Sequence, residues 1–130
     1  MVGLLVVAHA GLARELLAAA EMIVGPIEKS DAVGIGSGDS VDQIRESIRV
    51  AIDKVAEEGV IIMTDMFGGT PSNMCISFLK EDEIEVLTGV NLPMVIKFAS
   101  ERERFGVAEL ASVLKKCAQE SISVAGEYLK

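Results

Sequence analysis

The chain carries one histidine, His9, and the groups that could make it reactive lie far along the sequence, at Asp65 and in the run Gly68-Gly69-Thr70-Pro71. A carboxylate that accepts a hydrogen bond from one imidazole nitrogen fixes the tautomer and leaves the other nitrogen as a nucleophile. A glycine pair lets backbone come close to a bound group, and a turn entering a helix presents unpaired N–H groups to an anion. With the Thr70 hydroxyl, these are the parts for holding a phosphoryl group on an imidazole, since fixed donors facing spread negative charge are most of what phosphoryl transfer asks of a protein. Each charge-assisted hydrogen bond is worth about 1.5 to 3 kcal/mol, against roughly 0.3 to 1 kcal/mol for the positive end of the helix after His9, so donor placement outweighs the dipole. Each residue also has a bland reading. A lone histidine is more often a packed or solvated bystander, Asp65 suits an Asx turn, and a glycine pair suits a tight joint. The pattern by itself leaves both readings open.

Other chemistries lack their parts. Cys75 and Cys117 stand far apart without C-x-x-C spacing, so neither a zinc site nor a redox motif is indicated. There is no G-x-x-x-x-G-K-[ST] loop, and Gly34-Ile-Gly-Ser-Gly38 lacks the full dinucleotide spacing. A Ser-His-Asp set using Ser72 or Thr70 has no nucleophile elbow. A response-regulator receiver would want an acidic pair where His9 stands. A net charge of -8 and a pI near 4.6 argue against nucleic acid or an anionic membrane as partner. No segment is long enough to span a bilayer, and the apolar run at the N-terminus is too short and lacks a preceding Lys or Arg for a signal peptide. These features, with two unpatterned thiols, fit a cytoplasmic protein.

The 130 residues are expected to form one domain, 1–130, whose core is built from aliphatic residues and methionine, since aromatics are only 4% and Trp is absent. Apolar runs at Gly3 to Ala8, Asp31 to Gly36, Val60 to Met63 and Ile84 to Thr88 read as strands. Between them, Leu12, Leu16, Ala19, Ala20 and Ile23 mark a first helix stopped by Gly25-Pro26, and Ser40 with Gln43 makes a capping box for a second running to Gly59. Thr70 is the expected cap of a third helix to about Leu79, with Pro71 in its first turn. Asn91-Leu-Pro-Met begins a fourth, and a long last helix is expected from Val107 through Ala125 and Leu129. Cys75 should be a small buried hydrophobe. Alternating strands and helices with uniformly apolar strands imply an α/β fold, a doubly wound, mainly parallel sheet with helices on both faces. If the first and third strands are neighbours, as in the order 2-1-3-4, His9 and Asp65 meet at the carboxyl edge where such sheets bind ligands.

Four pieces of the chain carry a resemblance: Val-Val-Ala-His9, Ala-Glu-Met22, Asp65-Met-Phe-Gly-Gly-Thr-Pro-Ser-Asn73 and Gly89-Val-Asn-Leu-Pro-Met94. In order and spacing they resemble the IIA components of the mannose-type (mannose/fructose/sorbose) branch of the bacterial sugar phosphotransferase system. The resemblance implies a phosphoryl relay in which the phosphocarrier HPr donates to His9 and His9 passes the group to a IIB component. It also implies that Asp65 hydrogen-bonds the ring, that the Gly68-Gly69-Thr70 turn contributes to the phosphoryl pocket, that the sheet has the order 2-1-3-4, and that the protein is a homodimer needing no cofactor or metal. Two departures stand out. Ala10 replaces the glycine that usually follows the family's histidine, and the chain ends at Lys130 without a fused IIB domain, so a separate acceptor protein is expected. The alternatives are a regulatory phospho-switch, or the phosphoryl-donor subunit of a dihydroxyacetone kinase; the Gly-Val-Asn-Leu-Pro segment favours the sugar-system branch.

Overall fold

In the computed structural model, which describes residues 1–129, four parallel strands form one sheet. They are β1 (Gly3–His9), β2 (Ser30–Ile35), β3 (Val60–Thr64) and β4 (Ile84–Thr88), in the order β2-β1-β3-β4. The helices are α1 (Leu12–Val24), α2 (Val41–Val55), α3 (Thr70–Ile76), α4 (Leu92–Glu101) and α5 (Val107–Glu120), followed by a short 3-10 turn at Ala125–Leu129.

The two central strands are apolar throughout because both their faces are covered. Leu4, Val6, Ala8, Ile61 and Met63 pack under α1, α4 and α5, while Leu5, Val7, Val60 and Ile62 alternate to the other side under α2 and α3. This is the doubly wound arrangement that the alternation of elements predicts. The pairing register decides where the site falls. Val7 stands beside Thr64 and His9 beside Ile35, so the ends of β1, β2 and β3 open onto one carboxyl edge. Below that edge, buried Arg102 ties the end of α4 to the start of β1 by donating from Nε (3.0 Å) and Nη2 (2.7 Å) to the Val2 carbonyl, its guanidinium lying over Phe98.

The capping box forms as expected: Ser40 accepts from the Gln43 N–H, and the Gln43 side chain accepts from the Ser40 N–H. Asn91 caps α4 with its side chain alone, accepting from the Met94 N–H at 3.1 Å. Several details differ from expectation. The buried face of α1 is Ala13, Leu17 and Ala20, whereas Leu12 and Ile23 are exposed. Two adjacent stripes of this helix are apolar, and the one with two alanines lies against the sheet because small side chains let the helix come close. Thr70 does not cap α3. Gly69 occupies that position, Thr70 begins the helix, and Pro71 lies in the first turn. The same helix ends at Ile76 rather than Leu79, because Ser77 donates its hydroxyl to the Met74 carbonyl (2.6 Å) and the following N–H groups tighten to three-residue spacing.

The expected long terminal helix is broken as well. Ser121 takes the Cys117 carbonyl with both its N–H and its hydroxyl, the last at 2.7 Å, and Ile122, Val124, Tyr128 and Leu129 stand exposed instead of continuing a buried face. Met63 and Met94 are buried in the core and Met74 packs against it, while Met22 and Met66 face solvent. Cys75 is buried in the α2–α3 layer, where loss of solvation pushes its thiol pKa up to about 12.

Candidate functional site

β1 delivers His9 to the carboxyl edge, and β3 delivers Asp65 one residue beyond its own end. Their meeting is close and twofold. Oδ2 of Asp65 lies 2.7 Å from Nδ1 of the His9 ring and accepts the His9 backbone N–H at 3.0 Å, while Oδ1 accepts the N–H of Met66 at 3.0 Å. The backbone bond fixes the carboxylate relative to the strand, and the ring bond then fixes the imidazole relative to the carboxylate. Asp65 has 13% of its side chain exposed and His9 50%, so the acid is set into the edge and the ring stands above it in solvent.

The charge state of the pair follows from this geometry. Burial pushes the Asp65 carboxyl pKa up, but the hydrogen bonds from the His9 N–H and from the ring, with the lesser help of the ring's charge and the Met66 N–H, more than offset it. The carboxyl pKa therefore lies below the usual aspartate value, and the group is an acceptor only. Nδ1 must then carry the proton that the short contact needs, so that in the neutral ring the lone pair lies on Nε2. Such a ring, held by one nitrogen and open at the other, can take up an electrophile.

The second loop supplies the far wall. A side chain at Gly69 would stand 3.1 Å from Cε1 and 3.6 Å from Nε2 of His9, and equally close to the Met66 side chain, so the backbone at Gly69 lies against the reactive side of the ring. Gly68 turns the loop with φ +89°, a conformation glycine adopts without steric cost. Thr70 is exposed at the start of α3. The structure thus brings His9 and Asp65 into contact and sets Gly69 beside the ring, with Gly68 and Thr70 next to Gly69 in the chain. Around this centre the loops carry exposed apolar side chains, Leu12 at the start of α1 and Met66 and Phe67 after Asp65, the last with 72% of its surface exposed. Among the described residues no group of three or more His, Cys, Asp or Glu is placed to hold a metal ion, and no helix is long and apolar enough to cross a membrane.

The departure at Ala10 was legible in the sequence, but the contact that holds it was not. Ala10 adopts φ +53°, its N–H donates to the Ile35 carbonyl at 2.9 Å, and its own carbonyl lies directly against Gly34. The signal for it was the Gly34 to Gly38 run, whose first glycine serves backbone packing and not a nucleotide.

Comparison with known proteins gives the chain a family. Residues 3–115 match the family described as "PTS system fructose IIA component", EIIA-man. The chain is 31% identical over 132 residues to the fructose-specific EIIA component of Bacillus subtilis (strain 168), an alignment covering 100% of this chain and 90% of that protein. It is 29% identical over 118 residues to the sorbose-specific EIIA component of Lacticaseibacillus casei, covering 90% and 86%. Among solved structures, the PTS IIA protein associated with the fucose utilization operon of Streptococcus pneumoniae superposes with a TM-score of 0.87 at 27% identity, over 98% of this chain and 96% of that one. With the strand order, the length of the match and the identity all in agreement, the chain belongs to the PTS fructose IIA (EIIA-man) family.

Proposed function

We propose that this protein relays a phosphoryl group within a sugar phosphotransferase system, accepting it on Nε2 of His9 from phospho-HPr and passing it to a IIB component. The observation that carries this reading is the 2.7 Å contact between Nδ1 of a half-exposed His9 and an Asp65 held ionised. The Nε2 lone pair attacks the phosphorus as the donor's P–N bond breaks, and the electron pair of that bond returns to the donor imidazole. Asp65 keeps the proton on Nδ1 and steadies the positive charge the ring gains. Gly69 and the neighbouring Gly68 and Thr70 offer the backbone and hydroxyl donors for the phosphoryl oxygens. Transfer onward is the same step in reverse toward a IIB nucleophile.

The exposed rim of Leu12, Met66 and Phe67 supports a protein, rather than a small molecule, as the partner that reaches His9. The acidic chain suits a partner with a basic face. Homodimer formation fits the open edge of β4 and the exposed Ile122 that lines a cavity with it, with exposed Val124 and Tyr128 sharing a second cavity with Ile122, surface that a second copy would cover. Sedimentation velocity reads that state directly, and a single species of monomer mass at high micromolar concentration would refute it.

Incubation with phosphoenolpyruvate, enzyme I and HPr, followed by intact-mass analysis, tests the relay. An acid-labile, base-stable phosphoryl adduct is expected on the protein and absent from His9→Ala. An adduct that survives His9→Ala removes the reading.

A further inference from the structure

Gly34 pairs with Ala8 across β1 and β2 and lies two residues after Ala32, on the face toward α1. The chain leaving β1 crosses above it. A Cβ on Gly34 would overlap the carbonyl oxygen of Ala10 and stand 3.4 Å from its carbon, and both atoms are backbone, so no side-chain rotation can make room. The other glycines of the same run carry no such constraint: a Cβ at Gly36 meets only the Asp39 carboxylate at ordinary contact distance, 3.5 Å, and one at Gly38 meets nothing. Ala10 is held from two sides of β2, by the Ile35 carbonyl accepting its N–H and by Gly34 receiving its carbonyl, and it is held with φ +53°, which an alanine adopts only at a cost. His9 is the adjacent residue, and its backbone N–H and ring both point at one oxygen of Asp65.

We propose that Gly34 is a positioning residue for His9: the missing side chain lets the Ala10 carbonyl fold against β2, and that corner sets the height and tilt of the imidazole at Asp65. Gly34 touches no reacting atom and acts through Ala10. The inference rests on His9 being the phosphoryl acceptor, because a displacement of about 1 Å at the attacking atom can cost roughly a hundredfold in rate.

The test compares wild type, Gly34→Ala, Gly38→Ala and the double variant Ala10→Gly/Gly34→Ala. The readouts are the rate of phosphorylation by phospho-HPr, the denaturation midpoint, and the long-range ¹⁵N–¹H correlations of the single imidazole. Gly34→Ala is expected to slow phosphorylation roughly ten- to a hundredfold while remaining folded, and to shift the ring correlations away from the Nδ1-protonated pattern. Gly38→Ala should match wild type. The double variant should recover most of the rate and the ring pattern, because glycine at position 10 can rotate its carbonyl away from the new methyl group. Wild-type rate and ring signals in Gly34→Ala overturn the proposal. If Gly34→Ala does not fold, a folded and active double variant supports the proposal and an unfolded one overturns it. Should wild type itself take no phosphoryl group, the relay reading falls, while the ring correlations still judge whether residue 34 positions His9.

Discussion

A single oxygen of Asp65, Oδ2, accepts both the backbone N–H of His9 and the contact from its ring Nδ1, at 3.0 and 2.7 Å. The two bonds make the strand end and the ring one rigid unit, and only an ionised carboxylate serves both donors well. In Asp65→Asn the amide still fits, but its NH₂ can donate to Nδ1 and favour the opposite tautomer. Loss of one charge-assisted bond of about 1.5 to 3 kcal/mol corresponds to roughly a ten- to hundredfold slower phosphorylation. Rapid-quench measurement with phospho-HPr should find that loss in both Asp65→Asn and Asp65→Ala, with circular dichroism unchanged. Rates equal to wild type would reduce Asp65 to a turn residue.

The pH dependence follows from the direction of the Asp65 shift. Its pKa is lowered in the folded protein, so the unfolded chain binds more protons in the acid range, and the stabilisation is full above the unfolded value, about 3.9, and disappears as pH falls through the lower folded value. The part of the stability difference between wild type and Asp65→Asn that the carboxylate itself contributes should therefore be complete above about pH 5. It should narrow only below about pH 4, which urea titrations across that range can read. A difference that already narrows between pH 6 and 5 would place the carboxyl in the raised range instead.

Gly69 and Gly68 are neighbours that constrain different things. Gly69 has φ -86° and ψ 171°, open to any residue, but its Cβ would crowd Cε1 of His9 and touch Nε2; Gly68 has φ +89° and open space around it. Gly69→Ala should thus leave stability nearly unchanged and slow phosphorylation strongly. Gly68→Ala should cost about 1 kcal/mol of stability and slow phosphorylation far less. Paired urea denaturation and phosphorylation assays separate the two, and a reversal of the pattern would show that the room beside Nε2 is not what Gly69 provides.

How much of this was legible beforehand depends on the range of the interaction. The strands, the capping box at Ser40 and the meeting of His9 with Asp65 follow from local composition and from one topological assumption, the adjacency of β1 and β3. What sequence pattern misplaced was decided by competition between near-equal choices. On α1, two neighbouring apolar stripes differ by one residue, and only packing against the sheet selects Ala13, Leu17 and Ala20. At Ser77 and Ser121 a hydroxyl takes a carbonyl from the preceding turn, and a helix whose apolar spacing would continue stops there. The contact of Gly34, in β2, with the carbonyl of Ala10, just beyond β1, runs through backbone alone, so the glycine run marks the place in the sequence without naming its partner.

Arg102 is the one buried charged side chain among the described residues, and it has no carboxylate within salt-bridge distance; carbonyls satisfy it instead. Desolvation lowers its pKa, which the surrounding Glu103, Glu28 and Glu57 partly counter, and the planar guanidinium reaches the Val2 carbonyl through two nitrogens while lying over Phe98 at 4.9 Å. Arg102→Ala leaves that carbonyl short of donors and opens space beside the aromatic ring, an expected loss of about 2 to 4 kcal/mol. Lysine supplies one donor point and no plane, so Arg102→Lys should recover less than half of it. The site lies at the opposite end of β1, and phosphorylation of His9 in either variant, measured where it is still folded, should stay within about twofold of wild type, because distant independent sites do not couple. Urea midpoints and phosphorylation rates on the same samples check this, and a large rate loss in folded Arg102→Lys would show that β1 transmits the change from Val2 to His9.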